Sequence, residues 1–488
     1  MALIRVENLT FSYNSNYDKI FDNTSFQIDT DWKLGFIGRN GRGKTTFLNL
    51  LLGKYEYSGN IYSSVSFDYF PYSITNKEQI TIDILSSICP LAEEWEFMKE
   101  LSYLDVDFDI LWRPFSTLSN GEQTKVLLAA LFLNKGNFLL IDEPTNHLDS
   151  KAREIVSRYL NTKKGFILVS HDRQFLDGCV DHIMALNRSN IEIQSGNYST
   201  WHNNFENQQE FELALNERLK KDIRRLKKAA IRTSSWSDKI EASKIGNGPV
   251  DRGYIGHKAA KMMKRSKNIE ARQQKAIEQK ELLLKNVETT DNLKIHSLKH
   301  FNDCLVSFSN VSIIYDQKTI NNPISFQIHQ GDRKAIKGKN GSGKSSLLKT
   351  LLNQHINHTG TIEIASGLII SYVPQDTSHL KGTLSDFAEK HNIDETLFKT
   401  ILRKMDFQRI QFEKEIQNYS AGQKKKVLIA KSLCEKAHLY VWDEPLNYID
   451  LFSRIQIEKL IEEFSPTLLF VEHDIAFQEK ISTEIICI

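Results

Sequence analysis

The sequence predicts an α/β protein built as two repeated halves joined by a long helical hairpin, and three observations carry that prediction. A phosphate-loop pattern occurs twice, 300 residues apart; an apolar strand ending in paired carboxylates also occurs twice; and a strongly basic segment with apolar stripes lies between the copies. At 488 residues the chain is too long for one ordinary domain. Its 40% hydrophobic and 25% charged residues, with 9 prolines, are the balance of a folded chain rather than a disordered one. No stretch approaches the roughly 18 uninterrupted apolar residues of a membrane span. The start, MALIRVENLTFSYNSN, lacks the basic cap and apolar run of a secretion signal. A cytoplasmic protein without membrane contact is the expectation. Cys89, Cys179, Cys304, Cys434 and Cys487 are scattered and odd in number, which fits reduced thiols better than disulfides or metal ligands.

The loops are GRNGRGKTT from Gly38 and GKNGSGKSS from Gly338, each preceded by a strand-like run and followed by an apolar helical run. Glycines let backbone N–H groups close round phosphate oxygens, and the following helix N-terminus adds its positive dipole end. The candidate ATP-binding residues are therefore Gly38, Asn40, Gly41, Gly43, Lys44, Thr45 and Thr46, with Gly338, Asn340, Gly341, Gly343, Lys344, Ser345 and Ser346 in the second copy. Lys44 and Lys344 would reach the β- and γ-phosphates, and the Thr45 and Ser345 hydroxyls would bind Mg²⁺.

Downstream stand NFLLIDEPTNHLD and HLYVWDEPLNYID. Neighbours along a strand point to opposite sides, so Asp142 and Asp443 can serve Mg²⁺ while Glu143 and Glu444 face the attacking water. Lys44 and Asp142 are 98 residues apart, Lys344 and Asp443 99, so the two copies keep one layout. Each half then returns to an apolar strand, GFILVSHD or TLLFVEHD, whose His171 or His473 stands at the edge where a γ-phosphate can be sensed.

LSNGEQ at Leu118–Gln123 and YSAGQ at Tyr419–Gln423 resemble the signature of the ABC ATPases, and the resemblance covers residues 1–205 and 301–488. It implies a mostly parallel sheet with flanking helices in each half, closing head to tail over two ATP molecules as a pseudo-dimer within one monomer. It further implies that Ser119 and Gly121, and Ser420 and Gly422, touch the nucleotide of the opposite half. Tyr13 and Tyr315 match the adenine-stacking position, and Gln375 in SYVPQD matches a glutamine that touches Mg²⁺ and water. The first half departs from the pattern with Tyr72 in DYFPYS, which predicts slower hydrolysis at the first loop. Asn120 and Ala421 replace signature glycines but are small enough to keep the loop.

Between the halves, residues 206–300 are read as the hairpin. From Arg218 to Lys285 there are 20 Lys and Arg against 7 Asp and Glu, a local excess of 13 in a chain whose net charge is +2. Such an excess favours a polyanionic partner, nucleic acid or a lipid surface. Phe211, Leu215, Leu219, Ile223 and Leu226 form one apolar stripe, and Met262, Ile269, Ala276 and Leu283 recur every seven residues on the return side. The non-periodic segment 233–257, rich in glycine, forms the turn.

Two ATPase domains joined by a basic helical linker resemble the ABC-F family, which acts on ribosomes. That resemblance implies a hairpin entering the tRNA exit site of the bacterial ribosome toward the peptidyl-transferase centre, near 23S rRNA and P-site tRNA. Trp236, Pro249, Val250, Arg252 and Tyr254 are the candidate tip residues. Lys220, Lys221, Arg224, Arg225, Lys264 and Arg265 are the candidate phosphate contacts. Lys44 to Ser119 is 75 residues and Lys344 to Ser420 is 76, which leaves no room for the arm insertion of several housekeeping members. Stretches such as LWRPFSTLS, MKRSKNIEAR and WDEPLNYID are similar to the Lsa group, which implies protection against lincosamides, streptogramin A compounds and pleuromutilins. A housekeeping translation factor and the ATPase subunit of a multi-chain exporter are the alternatives.

Overall fold

The computed structural model describes residues 2–13, 19–134, 136–146, 148–186, 190–242, 293–315, 318–339, 341–352 and 356–488, and the single positions 261, 264, 268, 272 and 275; for 229–242 it describes the backbone alone. Asn340, Pro249, Val250, Arg252, Tyr254, Arg265 and the side chain of Trp236 therefore lie outside the described residues, as does the return stripe Met262, Ile269, Ala276 and Leu283. By its internal contacts the chain divides into two compact units, Met1–Trp201 with Thr290–Ile488, and His202–Thr289.

In the first half, strands β1 (Leu3–Phe11), β2 (Phe21–Asp29), β3 (Lys33–Gly38), β4 (Ser58–Tyr62), β5 (Ser66–Phe70), β6 (Asn137–Asp142), β7 (Phe166–Val169), β8 (His182–Leu186) and β9 (Ile191–Ser195) form two sheets. The larger runs β5-β6-β7-β3-β8-β9 and is parallel except where β9 pairs with β8. Its central strands are short apolar runs such as FILV, buried at every residue, as a strand covered on both faces must be. A second, antiparallel sheet, β2-β1-β4, goes beyond the single sheet the family resemblance implies. The helices are α1 (Lys44–Leu51), α2 (Thr81–Ile88), α3 (Glu94–Tyr103), α4 (Asn120–Leu133), α5 (Ser150–Asn161) and α6 (Arg173–Cys179). One core joins Val6, Phe21, Phe36, Phe47, Leu48 and Leu140, so α1, which opens on the nucleotide-loop lysine, is clamped between both sheets.

The second half repeats the plan. Its strands are β10 (Cys304–Tyr315), β11 (Lys318–Thr319), β12 (Ile324–His329), β13 (Arg333–Lys337), β14 (His358–Ile364), β15 (Ile370–Val373), β16 (Leu439–Asp443), β17 (Leu468–Val471) and β18 (Glu484–Cys487). The parallel sheet runs β15-β16-β17-β13-β18, and β10 pairs antiparallel with β11, β12 and β14. After the long α7 (Tyr198–Ala242), this half contributes α8 (Lys344–Thr350), α9 (Leu384–Lys390), α10 (Glu395–Lys404), α11 (Ala421–Cys434), α12 (Leu451–Phe464) and α13 (Ile475–Ile481). Trp442, Tyr440, Phe470, Leu428, Ile457 and Phe477 fill the core between the parallel sheet and these helices. Leu293 and Ile295 belong to that core, and Ser297 bridges Ala437, so residues 293–300 are part of the second half rather than of the linker.

In α7 the helix continues through Ala242, so residues 233–242 are helical and not part of a turn beginning at 233. The apolar stripe also needs correction at its start: Phe211 is 70% exposed and Leu215 37%. The covered face runs instead through His202, Phe205, Gln209, Glu212, Asn216, Leu219, Ile223 and Leu226, in alternating steps of three and four. Steps of four alone, as from Phe211 to Ile223, swing the side chain about 120° round a helix of 100° per residue, whereas alternating steps hold one line. Lys261, Lys264, Asn268, Arg272 and Lys275 are helical and exposed. No helix among the described residues is long and apolar enough to cross a membrane.

Candidate nucleotide sites

Each nucleotide loop lies between the C-terminal end of a buried parallel strand and a helix N-terminus, where backbone N–H groups collect. Gly43 and Gly343 cap α1 and α8 in the left-handed region, at φ 106° and 86°. A Cβ at Gly43 would come within 2.4 Å of Ile20 Cγ2, so that position requires glycine for space as well as for backbone angle. Lys44 Nζ donates to the carbonyls of Gly38 (2.7 Å) and Arg39 (3.2 Å), and Lys344 Nζ to those of Gly338 (2.9 Å) and Lys339 (2.7 Å). Burial lowers both ammonium groups from the usual lysine value. The two aromatic residues stand beside the loops: the Tyr13 hydroxyl pairs with Thr46 Oγ1 at 2.9 Å, and the Tyr315 hydroxyl with Ser346 Oγ at 3.0 Å.

Thr45 Oγ1 donates to Asp142 Oδ2 at 2.9 Å, and Ser345 Oγ to Asp443 Oδ1 at 3.1 Å. Asp443 Oδ2 is buried without a hydrogen-bond partner among the described residues, and burial pushes its carboxyl up to about 6. A hydroxyl and an under-satisfied carboxylate oxygen beside a phosphate loop are hard donors that fit Mg²⁺. No group of three or more His, Cys, Asp and Glu stands ready to hold a metal alone among the described residues, so such an ion would share its ligands with phosphate and water.

Beyond each aspartate the backbone turns into the left-handed region at Glu143 (φ 51°) and Glu444 (φ 46°), and their amides donate to Val169 and Val471 at 2.9 Å. Left-handed non-glycine residues cost about 1–3 kcal/mol and concentrate at working sites. The two glutamates sit in different surroundings. Gln375 Nε2 donates to Glu444 Oε2 at 2.8 Å, Asn447 Nδ2 also donates to it, and His473 Nε2 lies 3.5 Å from Oε1. Burial raises the Glu444 carboxyl, but these bonds and the His473 and Lys425 charges outweigh it and hold the group below the ordinary glutamate range. Glu143 has His171 at 3.2 Å, but Tyr72 turns away and donates to Asp68 at 2.7 Å. Burial and the adjacent Asp142 carboxylate, against the pull of Lys44, push Glu143 up to about 8. His171 donates to Asn40 Oδ1 at 2.9 Å and is held neutral, first by burial and then by Lys44.

Ser119 and Ser420 are the N-caps of α4 and α11, each with a capping box to Glu122 or Gln423. They face the opposite halves. A cavity of about 980 Å³ is lined by Tyr315, Gly341, Lys344, Ser345, Gln375 and Glu444 from one half and by Ser119 and Gly121 from the other. At the first loop the halves are in contact. Asn40 Nδ2 donates to the Tyr448 carbonyl at 2.7 Å, and Gly422 lies so close that a Cβ there would come within 2.8 Å of that amide nitrogen. Arg42 reaches both oxygens of Asp406 (3.2 and 3.3 Å), Arg39 lies 3.6 Å from the same carboxylate and over the Phe452 ring, and Arg173 pairs with Glu458 at 2.6 Å.

Arg39, Arg42, Asp406 and Lys425 were not singled out from sequence. Their signal lay in the repeat itself: Lys339 and Ser342 replace the two arginines in the second loop, and Thr124 replaces Lys425 in the first signature helix.

The family model described as ABC transporter matches residues 21–146 and 321–447. The chain is similar to the putative ATP-binding protein YdiF of Bacillus subtilis (strain 168), 26% identical over all of this chain and 80% of that protein. It is similar to the ribosome protection protein VmlR of the same organism, 27% identical over 96% of this chain and 84% of VmlR. It is also similar to the ATP-binding protein Uup of Caulobacter vibrioides, 27% identical over 96% of this chain and 74% of that protein. Among solved structures, the RNase-L Inhibitor aligns with a TM-score of 0.62 at 19% identity, over 99% of this chain and 87% of that one. An archaeal ribosome recycling factor, in complex with a ribosomal stalk protein, aligns at 0.63 and 19%, over 98% and 87%. Those structural likenesses show the fold, two nucleotide-binding halves in tandem.

Proposed function

The chain belongs to the ABC transporter family and is an ATP-binding ATPase, and we propose that it is a ribosome-associated member of the ABC-F branch that protects bacterial ribosomes from antibiotics. One observation carries the reading. Arg218, Lys220, Lys221, Arg224 and Arg225 are all exposed on α7, away from its covered seam, inside a segment with a charge excess of 13. Cations accumulated on one helical face suit a phosphate backbone, which is met by charge rather than by sequence. The relative VmlR, similar over nearly the whole chain, is named a ribosome protection protein.

In this reading the protein is cytoplasmic and works as a monomer whose two halves, the second beginning at residue 293, form a pseudo-dimer around two ATP molecules. Tyr13 and Tyr315 stack on adenine, the two loops hold the phosphates, and Ser119, Gly121, Ser420 and Gly422 complete the sites across the interface. Thr45 with Asp142, and Ser345 with Asp443 and Gln375, are the residues that would hold Mg²⁺, which when bound draws charge from the β- and γ-phosphates. Glu143 and Glu444 accept charge from the attacking water, and His171 and His473 hold those glutamates in place. ATP closure drives the linker toward the exit site and peptidyl-transferase centre, where residues 243–257 with Trp236 displace drug; hydrolysis releases the protein. Lincosamides, streptogramin A compounds and pleuromutilins are the drug classes, as for the Lsa group.

The test is expression of the full chain in a drug-sensitive bacterium, with growth measured across these three classes, beside a version in which 247–252 is replaced by Gly and Ser. Protection that disappears with the replacement while ATPase rate and melting temperature hold supports the reading. Growth no better than vector on every drug, with ribosome co-sedimentation intact, leaves a housekeeping translation factor; no sedimentation with ribosomes overturns the proposal.

A further inference from the structure

Lys425 lies five residues into the second signature helix, and its side chain is 1% exposed. An ammonium that deep must find acceptors, and it finds three carbonyls from two other segments. Lys425 Nζ donates to Pro374 at 2.8 Å, to Asp443 at 3.1 Å and to Gln375 at 3.4 Å. Pro374 and Gln375 follow β15; Asp443 ends β16. One cation therefore ties the α11 helix to both strand ends that carry the second site's polar residues. Gln375, whose main chain it holds, is the residue whose side chain donates to Glu444. Among the described residues the first half has no such tie. Thr124 occupies the matching position and returns its hydroxyl to Asn120 in its own helix, while Tyr72, in the glutamine's place, bonds Asp68. Lysine and glutamine occur together at one site and are replaced together at the other.

The helix has a second face to the interface. Its first turn presents Ser420 and Gly422 to the first nucleotide loop, where Gly422 packs on Asn40. The first turn and Lys425 belong to one continuous helix, so the contact with the first loop and the tie to Gln375 and Asp443 share a single element.

We propose that Lys425 is a positioning residue that sets Gln375 and Glu444 for hydrolysis at the second site and links that site to the first through α11. The proposal rests on the reading of Gln375 and Glu444 as hydrolytic residues, and the test separates the two. Lys425→Met, which keeps length and removes every donor, Lys425→Thr, which copies the first half, and Lys425→Arg are made in the full chain carrying Glu143→Gln, which lowers the slower first site further, so that turnover is dominated by the second site. Expected for Met and Thr is a fall in kcat of about 10- to 100-fold with KM for ATP within about twofold, partial recovery with Arg, and little added loss on combination with Gln375→Ala. Amide hydrogen exchange without nucleotide is the second measurement, and the methionine variant should speed exchange at residues 375–377 and 443–445 with the rest of the half unchanged. Unchanged exchange there overturns the tie, as does a parallel loss of kcat, KM and melting temperature or strictly additive effects with Gln375→Ala. Faster exchange together with full turnover in both Gln375→Ala and Glu444→Gln leaves the tie standing and overturns the hydrolytic reading beneath it.

Discussion

At the scale of single residues, the two glutamates have the same neighbour in sequence and different neighbours in space. Hydrogen bonds and nearby charge hold Glu444 below the ordinary glutamate range, while burial and the Asp142 carboxylate push Glu143 up to about 8, so the proposed role of polarising water asks for a charged form that is harder to hold at the first site. Glu444→Gln should therefore cut single-turnover hydrolysis by about 100-fold, within the range for a general base, and Glu143→Gln by less than about 10-fold. Per-site single-turnover assays decide; equal losses would remove the asymmetry.

At the scale of elements, α11 and α12 are held together by a fully buried pair, Lys426 Nζ to Asp450 Oδ2 at 2.7 Å, with Asp450 also capping α12 through the Ser453 amide. Despite burial, the Lys426 charge and hydrogen bond hold the Asp450 carboxyl far below the usual carboxylate range. Asparagine keeps the capping oxygen but leaves Lys426 buried without its counter-charge, a change that costs about 3–5 kcal/mol. Asp450→Asn should lower stability by that amount in urea unfolding at pH 7. Because the folded-state value is depressed, the aspartate's contribution is complete above the unfolded value of roughly 4 and is lost only as pH falls further. The wild-type advantage should accordingly be flat from pH 5 to 8 and shrink below about pH 4. An advantage that instead varies between pH 6 and 8 would assign it to another group.

At the scale of the whole molecule, two arginines of the first nucleotide loop make ion pairs with the other half, while the second loop opens on the large cavity. Arg39 and Arg42 converge on Asp406. In the matching place across the pseudo-dimer, Asp105 pairs with Lys151 of its own half, because Lys339 and Ser342 offer no arginine fork. Asp406→Asn should weaken this contact between the halves by about 2 kcal/mol, the scale of hydrogen bonds to a charged group. Spin labels on the two halves beside the first loop should then show a broader and longer distance distribution, and an unchanged distribution would make the pairing incidental. For the linker, neutralising Lys220, Lys221, Arg224 and Arg225 should flatten the salt dependence of ribosome binding by roughly one log-log unit per lost phosphate contact. A constant slope would mean that these charges are only solvated.

Both nucleotide loops, the paired carboxylates and the serine-capped signature helices could be read from the sequence, because each is a local pattern: a few adjacent residues define a turn, a strand end or a helix start. The α7 stripe was half legible. Leu219 and Ile223 fit either steps of four or alternating steps of three and four, and only burial put Gln209, Glu212 and Asn216 on the covered line and left Phe211 outside it. Tyr72 could be seen to replace a glutamine, but not that its hydroxyl goes to Asp68. The tie from Lys425 to Pro374 and Asp443 and the convergence of Arg42 on Asp406 join residues 18 to 364 positions apart. A lysine in a basic run reads as a solvated charge until the fold takes water away from it. Its meaning then depends on which carbonyls the packing of strands and helices brings within about 3 Å, the reach of a hydrogen bond, and spacing along the chain does not encode that distance.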